Sequence, residues 1–387
     1  MMKQKKLKVI LWGNFYFTDH EICIVKALQC KNVDIRYYIP MGVKNLRGAI
    51  MNIECQNRKA GILPADIYKD LAILKNYINL SSVFIVNMTH SNPLHPENLW
   101  VRLKFLLEYL KFRPDIFHYT APLPRTWWFL YYLRGKRVLT LHDPFPHSGQ
   151  GGGITELLRI KSFKKSNRII LLSEENKLKF ADIYGFNKAH ITVSKLGYLD
   201  YLETYPADPL PLSYKYILFF GQIFSYKGIE YLLEAMVKVH SIHPEIKLVV
   251  AGGGKMYFDT TPYKNNDYII IENKFIGLSR LISLLRGSMF SVAPYKDATQ
   301  SGVLMNSFSL NVPMVVTNVG FFPEMVEDGV TGLIVDPCNV DQLADAMIRL
   351  VESPELLKIM RYNIETKWRP SMGWDKITDE FMKVYKS

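Results

Sequence analysis

Cysteine is scarce in this sequence and shows no pairing. Cys23, Cys30, Cys55 and Cys338 form no CxxC motif and share no metal-like spacing with histidine. Neither a disulfide framework nor a zinc site is therefore expected, and the four read as core residues. Long apolar runs are also missing, so no transmembrane helix is predicted. The start, MMKQKKLKVILWGN, is basic, but its apolar run is short and no small-residue cleavage site follows. It reads as a first strand rather than a signal peptide, with the protein expected in the cytosol. No GxGxxG follows that strand, and GxxxxGK followed by Ser or Thr is absent. Both absences count against a dinucleotide oxidoreductase and a P-loop NTPase.

What is present describes a folded chain of more than one core. Its 387 residues exceed what a single hydrophobic core usually organises. Apolar and aromatic residues make up 48% and charged residues 22%, which is not the balance of disorder. The formal net charge is +12 and unevenly spread: residues 1–200 hold 30 Lys plus Arg against 15 Asp plus Glu, whereas residues 201–387 hold 18 against 21. A basic first half suits nucleic acid, an anionic membrane surface or an acidic substrate.

Short β-branched or aromatic runs recur with helical stretches between them: KVILWGN, VDIRYYI, SVFIVNM, DIFHYT, RVLTLHD, RIILLS and HITVSK. The alternation pauses at DYLETYPADPLPLSYK, where Pro206, Pro209 and Pro211 forbid a helix and suit an extended linker. It resumes with YILFFGQI, IKLVVAGGG, YIIIENKFI, FSVAPY, VPMVVTNVG and TGLIVDP, separated by amphipathic stretches such as GIEYLLEAMVKVHSIHP and LSRLISLLRGS. Two successive α/β units predict two parallel sheets covered by helices, each an open Rossmann-like domain.

In open parallel sheets ligands bind beyond the carboxyl ends of strands, so the loops there are the places to seek chemistry. Gly13 and Asn14 follow the first strand; His142, Asp143, Pro144 and His147 follow RVLTL. GQIFSYKG spans 221–228, and DATQSG spans 297–302. Gly221 permits close backbone approach, Lys227 can neutralise a phosphate, and a helix starting near Gly228 adds partial positive charge. The amides of Ser301, Gly302 and Val303 would point out of the first turn of the next helix. The Ser301 hydroxyl caps that turn or donates to an oxygen. Together these loops are expected to form the two halves of a diphosphate clamp, the alternatives being a loop glycine with a solvated lysine in the first and a plain N-cap at Ser301 in the second.

Here a family resemblance enters. GQIFSYKGIEYLLEAM resembles the Gly-Arg-x-x-x-x-Lys-Gly start of the C-terminal domain in retaining GT-B glycosyltransferases of family 4 (glycosyltransferase group 1). SGVLMNSFSLNVPMVVTNVGFFPEMVEDGVTGLIV resembles their donor-site helix, proline-led strand and following loop. RPDIFHYTAP and RVLTLHDPFPHSG are similar to the fourth and fifth N-terminal strands, and SMGWDKITDEFMKVYKS to the last helix crossing back to the first domain. The resemblance implies a GT-B fold of two Rossmann-like domains facing across a cleft. Residues 1–200 would hold the acceptor, residues 201–367 a nucleotide-sugar donor (UDP- or GDP-), and residues 368–387 the returning helix.

The resemblance also implies roles. Lys227 matches the phosphate-binding lysine; Gln222 stands where an arginine is usual, replacing a forked cation with a neutral amide. His142 aligns with a histidine near the transferred sugar, where it orients a hydroxyl and stabilises charge. His118, Asp143 and His147 fall on the acceptor side, and Gly13 and Gly221 on the donor side. The family's paired glutamates are absent: the second falls at Asn306 and the first near Ala298, so Asp297 becomes the nearest carboxylate and Asn306 a ribose contact. Gln300, Ser301, Gly302 and Val303 complete the donor turn in a DATQSG form found in a subset of these transferases. Retention at the anomeric carbon is implied, with the departing diphosphate oxygen taking the acceptor's proton and no strong protein base required. No two aspartates are separated by a single residue, so no metal or cofactor is expected.

For the acceptor, KFLLEYLKFRP and LLRIKSFKKSNR mix basic and apolar residues as membrane-surface helices do. The aromatic run RTWWFLYYLRGKR reads as a buried helix between strands. A glycan or polyprenyl-diphosphate-linked glycan is the expected acceptor, in surface polysaccharide synthesis at the inner face of the membrane. Two other classes stand beside this one. A nucleotide-sugar-binding regulator without turnover is motivated by Gln222 and the missing glutamates. A nucleic-acid binder is motivated by charge alone and is disfavoured, because no nucleic-acid module is recognisable.

Overall fold

The structure, a computed structural model, describes residues 5–53, 59–142, 144–145, 153–209, 212–263, 266–297 and 302–387. The chain divides into two units, one of residues 1–197 with 372–387 and one of residues 198–371.

Unit 1 is built on β1 (Leu7–Trp12), β2 (Val33–Met41), β3 (Gly61–Pro64), β4 (Val83–Asn87), β5 (Ile116–Tyr119), β6 (Lys136–Leu141), β7 (Arg168–Leu171) and β8 (Ile191–Val193). They lie in the order β3-β4-β2-β1-β5-β6-β7-β8. Val9, Ile10 and Leu11 of β1 are all fully buried, as a central strand covered on both faces requires. One strand departs from the parallel expectation: β3 pairs antiparallel with β4 at the sheet edge. Its sequence, GILP, is four residues ending in a proline that can only close an edge strand.

The longer helices within residues 1–197 are α1 (Thr18–Gln29), α2 (Pro96–Phe112), α3 (Gly153–Lys165) and α4 (Glu174–Tyr184). Phe105 of α2, Leu130 of a 3₁₀ segment (Arg125–Tyr132), Phe163 of α3 and Phe180 of α4 meet in one core cluster with Tyr38, Phe117 and Leu139. These four elements therefore cover one sheet face. The aromatic run at 125–132 is buried through Trp127, Leu130 and Tyr131, although Tyr132 is exposed.

Unit 2 carries β9 (Tyr216–Phe220), β10 (Lys247–Ala251), β11 (Ile269–Glu272), β12 (Ser291–Ala293), β13 (Met314–Thr317) and β14 (Gly332–Val335). They are parallel, in the order β11-β10-β9-β12-β13-β14. Helices α5 (Ile229–Ile242), α6 (Leu278–Gly287), α7 (Gly302–Ser309), α8 (Val340–Glu352) and α9 (Pro354–Asn363) accompany it. In both sheets the chain steps outward one way and then the other from a first strand, so β1/β5 and β9/β12 are topological switch points.

The last helix, α10 (Trp374–Lys386), belongs to unit 1. Lys31 pairs with Asp379 at 2.9 Å, and Lys136 Nζ donates to the Val384 carbonyl at 2.6 Å. Gly197 lies so close to the Trp374 indole that a Cβ there would sit 2.4 Å from the ring.

The cysteine expectation is corrected. Cys23 is buried in α1, but Cys30 caps the end of that helix in the open, and Cys338 is exposed in a left-handed turn before α8 (φ +60°). Cys55 lies outside the described residues.

Candidate active site

The switch point of the second sheet holds a cavity of about 300 Å³. Phe220 and Gly221 line it from the end of β9, Tyr295 from the loop after β12, and Gly302, Val303 and Asn306 from α7. Tyr226, Lys227 and Leu281 complete the lining. The structure thus brings together Gly221, Lys227, Gly302, Val303 and Asn306 from the sequence expectation. Phe220, Tyr226, Leu281 and Tyr295 were not anticipated. The Tyr226 and Tyr295 rings meet edge to face at 5.7 Å and 90°. Thr317 at the end of β13 donates to the Tyr295 carbonyl at 2.6 Å and fixes that wall.

Lys227 ends a 3₁₀ turn (Ser225–Lys227), from which its side chain runs inward to 6% exposure. Gly221 is left-handed (φ +108°), which favours glycine, and a Cβ on it would stand 2.7 Å from Lys227 Nζ and push the ammonium from its present place. The Lys227 ammonium sits 5.3 Å from the centre of the Tyr295 ring, and among the described residues no carboxylate pairs with it. Burial lowers its pKa to about 8.

The first amide of the following helix is turned to a side chain of the protein. Gly228, left-handed at φ +63°, turns the chain into α5, and Ile229 N donates to the Tyr257 hydroxyl at 3.0 Å. That hydroxyl in turn donates to Glu230, which also binds Lys296 at 2.8 Å. The first amide of α5 is therefore already engaged, while Lys227 brings a full positive charge to the pocket lining.

On α7, Asn306 Nδ2 donates to the Gly302 carbonyl at 2.7 Å, which leaves its Oδ1 as an acceptor at the pocket wall. Gln222 and Asp297 are exposed and do not line the cavity. Gln300 and Ser301 lie outside the described residues.

At the switch point of unit 1 a residue missed in the sequence dominates. Glu21 is fully buried and accepts from Asn14 N at 2.8 Å, from the Tyr37 hydroxyl at 2.5 Å and from the Thr120 hydroxyl. It ties the loop after β1 to the end of β5. A Cβ on Gly13 would fall 2.2 Å from Glu21 Oε2, so Gly13 exists to admit this carboxyl. Burial raises the Glu21 pKa to about 7 against the opposing hydrogen bonds.

His142 follows β6 with its ring stacked on Phe17 (4.0 Å, 21°) and 6.1 Å from the His20 ring. It is 7% exposed, and its Nε2 is buried without a hydrogen-bond partner among the described residues. Burial first, then the charge of His20, lowers its pKa to about 3, so it acts as a neutral imidazole rather than a cation. His118 does not fit an acceptor contact. It is wholly buried in β5, with Nδ1 2.7 Å from the Tyr385 hydroxyl and Nε2 2.8 Å from the Thr140 hydroxyl, so both nitrogens are committed inside the unit. Asp143 and His147 lie outside the described residues.

His90, His95 and Glu97 form a group whose ligand atoms lie within 4.8 Å of one another. They are engaged with one another at the start of α2. His95 Nδ1 accepts from Glu97 N at 3.3 Å as the N-cap, and the Glu97 carboxylate binds the Thr89 hydroxyl at 2.8 Å and His90 at 3.1 Å.

Comparison with known proteins bears on unit 2 first. Residues 203–367 match the family described as Glycosyl transferases group 1, nearly the whole of that unit. The chain is 30% identical over 175 residues to the uncharacterized glycosyltransferase MJ1607 of Methanocaldococcus jannaschii, covering 44% of this chain and 45% of that protein. It is 27% identical over 188 residues to the alpha-D-kanosaminyltransferase of Streptomyces kanamyceticus, covering 48% and 47%. The chain spans about half the length of the curated relatives it matches. Among solved structures, sucrose-phosphate synthase from Thermosynechococcus elongatus superposes with a TM-score of 0.69 at 14% identity, over 98% of each chain. Anabaena Alr3699/HepE in complex with UDP and glucose gives 0.68 at 13%, over 98% of this chain and 99% of that one. These likenesses identify the fold as GT-B, two Rossmann-like domains in one chain.

Proposed function

We propose that this protein is a retaining glycosyltransferase that takes its sugar from a UDP- or GDP-sugar held by unit 2. The observation that carries this reading is the Lys227 ammonium, buried at the carboxyl end of β9 with no carboxylate partner among the described residues. An unpaired buried cation is costly, and a diphosphate offers the missing charge. The family match over residues 203–367 supports the choice. So does the binding of UDP and UDP-glucose by the structurally similar HepE.

In this reading the bond from the anomeric carbon to the diphosphate breaks while a bond to the acceptor oxygen forms on the same face. The departing diphosphate oxygen takes the acceptor's proton, and Lys227 stabilises the charge that grows on it. No metal or cofactor enters. Asn306 Oδ1 accepts from a ribose hydroxyl. His142, uncharged, accepts from or donates to a sugar hydroxyl rather than countering charge. The acceptor is a glycan or a lipid-diphosphate-linked glycan of surface polysaccharide synthesis, handled by the basic unit 1 at the inner face of the cell membrane.

A panel of nucleotide sugars, scored for thermal stabilisation, hydrolysis and transfer, tests this. A single donor class should stabilise and be turned over, and Lys227→Ala should abolish both. Gln222 and Asp297 stand exposed outside the pocket lining, which favours a second reading, a nucleotide-sugar-binding regulator. Stabilisation without hydrolysis or transfer to any acceptor would select it.

A further inference from the structure

Helix α2 is apolar on both sides. Val101, Phe105, Tyr109 and Phe112 pack into the core of unit 1. On the opposite arc Leu99, Trp100, Leu103, Leu107 and Leu110 are each 47–58% exposed. At 100° per residue these five fall within one stripe along about three turns, larger than the scattered apolar residues normal on a surface. Lys104 and Lys111 edge the stripe on one side. Both carboxylates of the helix are engaged by the protein: Glu97 with Thr89 and His90, and Glu108 with the Tyr38 hydroxyl at 3.1 Å.

The neighbouring elements on the same sheet face continue the pattern. Tyr132 and Leu157 are exposed at 67% and 65%. The Lys161 ammonium lies 3.4 Å from the Trp128 ring centre and that of Lys165 4.6 Å from Tyr132, so these cations rest on aromatic faces of the same surface.

We infer that this face of unit 1 lies on an anionic lipid bilayer, with the α2 leucines and Trp100 seated among the acyl chains and the lysines at the phosphates. Charge decides the occupant. A two-fold pairing of the face with a second copy would bring Lys104 and Lys111 of both copies into one apolar seam, whereas an anionic surface complements them. The inference deepens the membrane location proposed above by naming the surface that makes it, and nucleotide binding by unit 2 serves as a control that separates its failure from that of the transfer reading.

The test is co-sedimentation of the full chain with vesicles of phosphatidylcholine alone and of an equal mixture with phosphatidylglycerol, at low and high salt. Binding to the mixed vesicles is expected, falling about tenfold or more when Leu103 and Leu107 are both changed to Gln. A Lys104→Glu, Lys111→Glu variant should lose the preference for phosphatidylglycerol. Circular dichroism, the unfolding temperature and UDP binding should stay unchanged, because Leu103, Leu107 and Lys111 are exposed and Lys104 is half-buried at the edge of the stripe, outside the core of unit 1. As a second readout, tryptophan emission should shift to the blue on mixed vesicles and lose that shift in Trp100→Phe. Failure of the wild type to bind mixed vesicles overturns the inference, as does binding that neither double variant weakens. A dimer in sedimentation velocity that the leucine variant dissociates, without vesicle binding, would assign the face to a second copy instead.

Discussion

At the scale of single residues, the pocket of unit 2 is organised around a charge the fold alone does not favour. Removing it should therefore separate stability from binding. Lys227→Met is expected to raise the stability of the ligand-free protein at pH 7 by on the order of 2–3 kcal/mol, since the native state no longer holds a buried ammonium whose pKa has fallen from 10.5 to about 8. The same variant should lose UDP or GDP binding, which calorimetry would show. In the wild type, nucleotide affinity should decline as pH rises above about 8, where the free pocket loses its proton. A flat affinity profile to pH 9.5, roughly, would remove Lys227 from the phosphate site.

Glu21 gives a prediction of the opposite sign. Its folded pKa of about 7 lies above the ordinary 4.5, so the folded state favours the protonated form. Its contribution is fully present below pH 4.5 and is lost as pH rises towards 7. Denaturant titrations of Glu21→Gln should show a flatter pH dependence of stability across that window than the wild type. The place of Lys227 at the mouth of the sheet was legible from the strand-end glycine before it and the helix after it, but its burial was not, since a solvated lysine fits the same pattern. Glu21 was not, because a glutamate in a helix usually faces water. The available signal was its place on the same helical face as Thr18, Val25 and Leu28, all buried. His118 misled for a related reason: a polar residue at a strand end can point into the interior when helices cover both sheet faces.

At the scale of elements, short buried strands were readable wherever they ran parallel in the middle of a sheet, because burial on both faces leaves a continuous apolar run such as YILFF. The edge strand β3 has no such run. Helix α2 shows the limit of periodicity. Leu103, Phe105, Leu107 and Tyr109 are all apolar, so the pattern cannot say which side packs; only the sheet beneath Phe105 and Tyr109 decides it. Turns are more demanding than helices here. A Cβ on Gly228 would sit 2.1 Å from the Pro294 carbonyl oxygen, in a left-handed conformation. Gly228→Ala should therefore cost about 2 kcal/mol or more and displace Lys227 with it. Thermal unfolding and nucleotide binding should fall together, and an unchanged midpoint would contradict the turn described.

At the scale of the molecule, two sheets of related strand order carry unequal closures. Unit 2 is continuous in sequence, whereas unit 1 is completed by α10, held through His118, Lys136 and Lys31. Tyr385→Phe should destabilise unit 1 by about 1 kcal/mol by stranding a buried His118 nitrogen. A chain ending at Ser371 should lose cooperative unfolding of unit 1 yet keep nucleotide-induced stabilisation of unit 2; loss of both would refute this division of labour. During synthesis the same arrangement reverses the usual sequence of events. The ribosome releases the basic unit first, but with the sheet face that α1 partly covers still missing α10. The donor-binding unit, made later, can finish folding earlier, and the first unit waits for the last residues to arrive. Chaperones should therefore engage the N-terminal half of nascent chains for the whole time that residues 198–371 are being made.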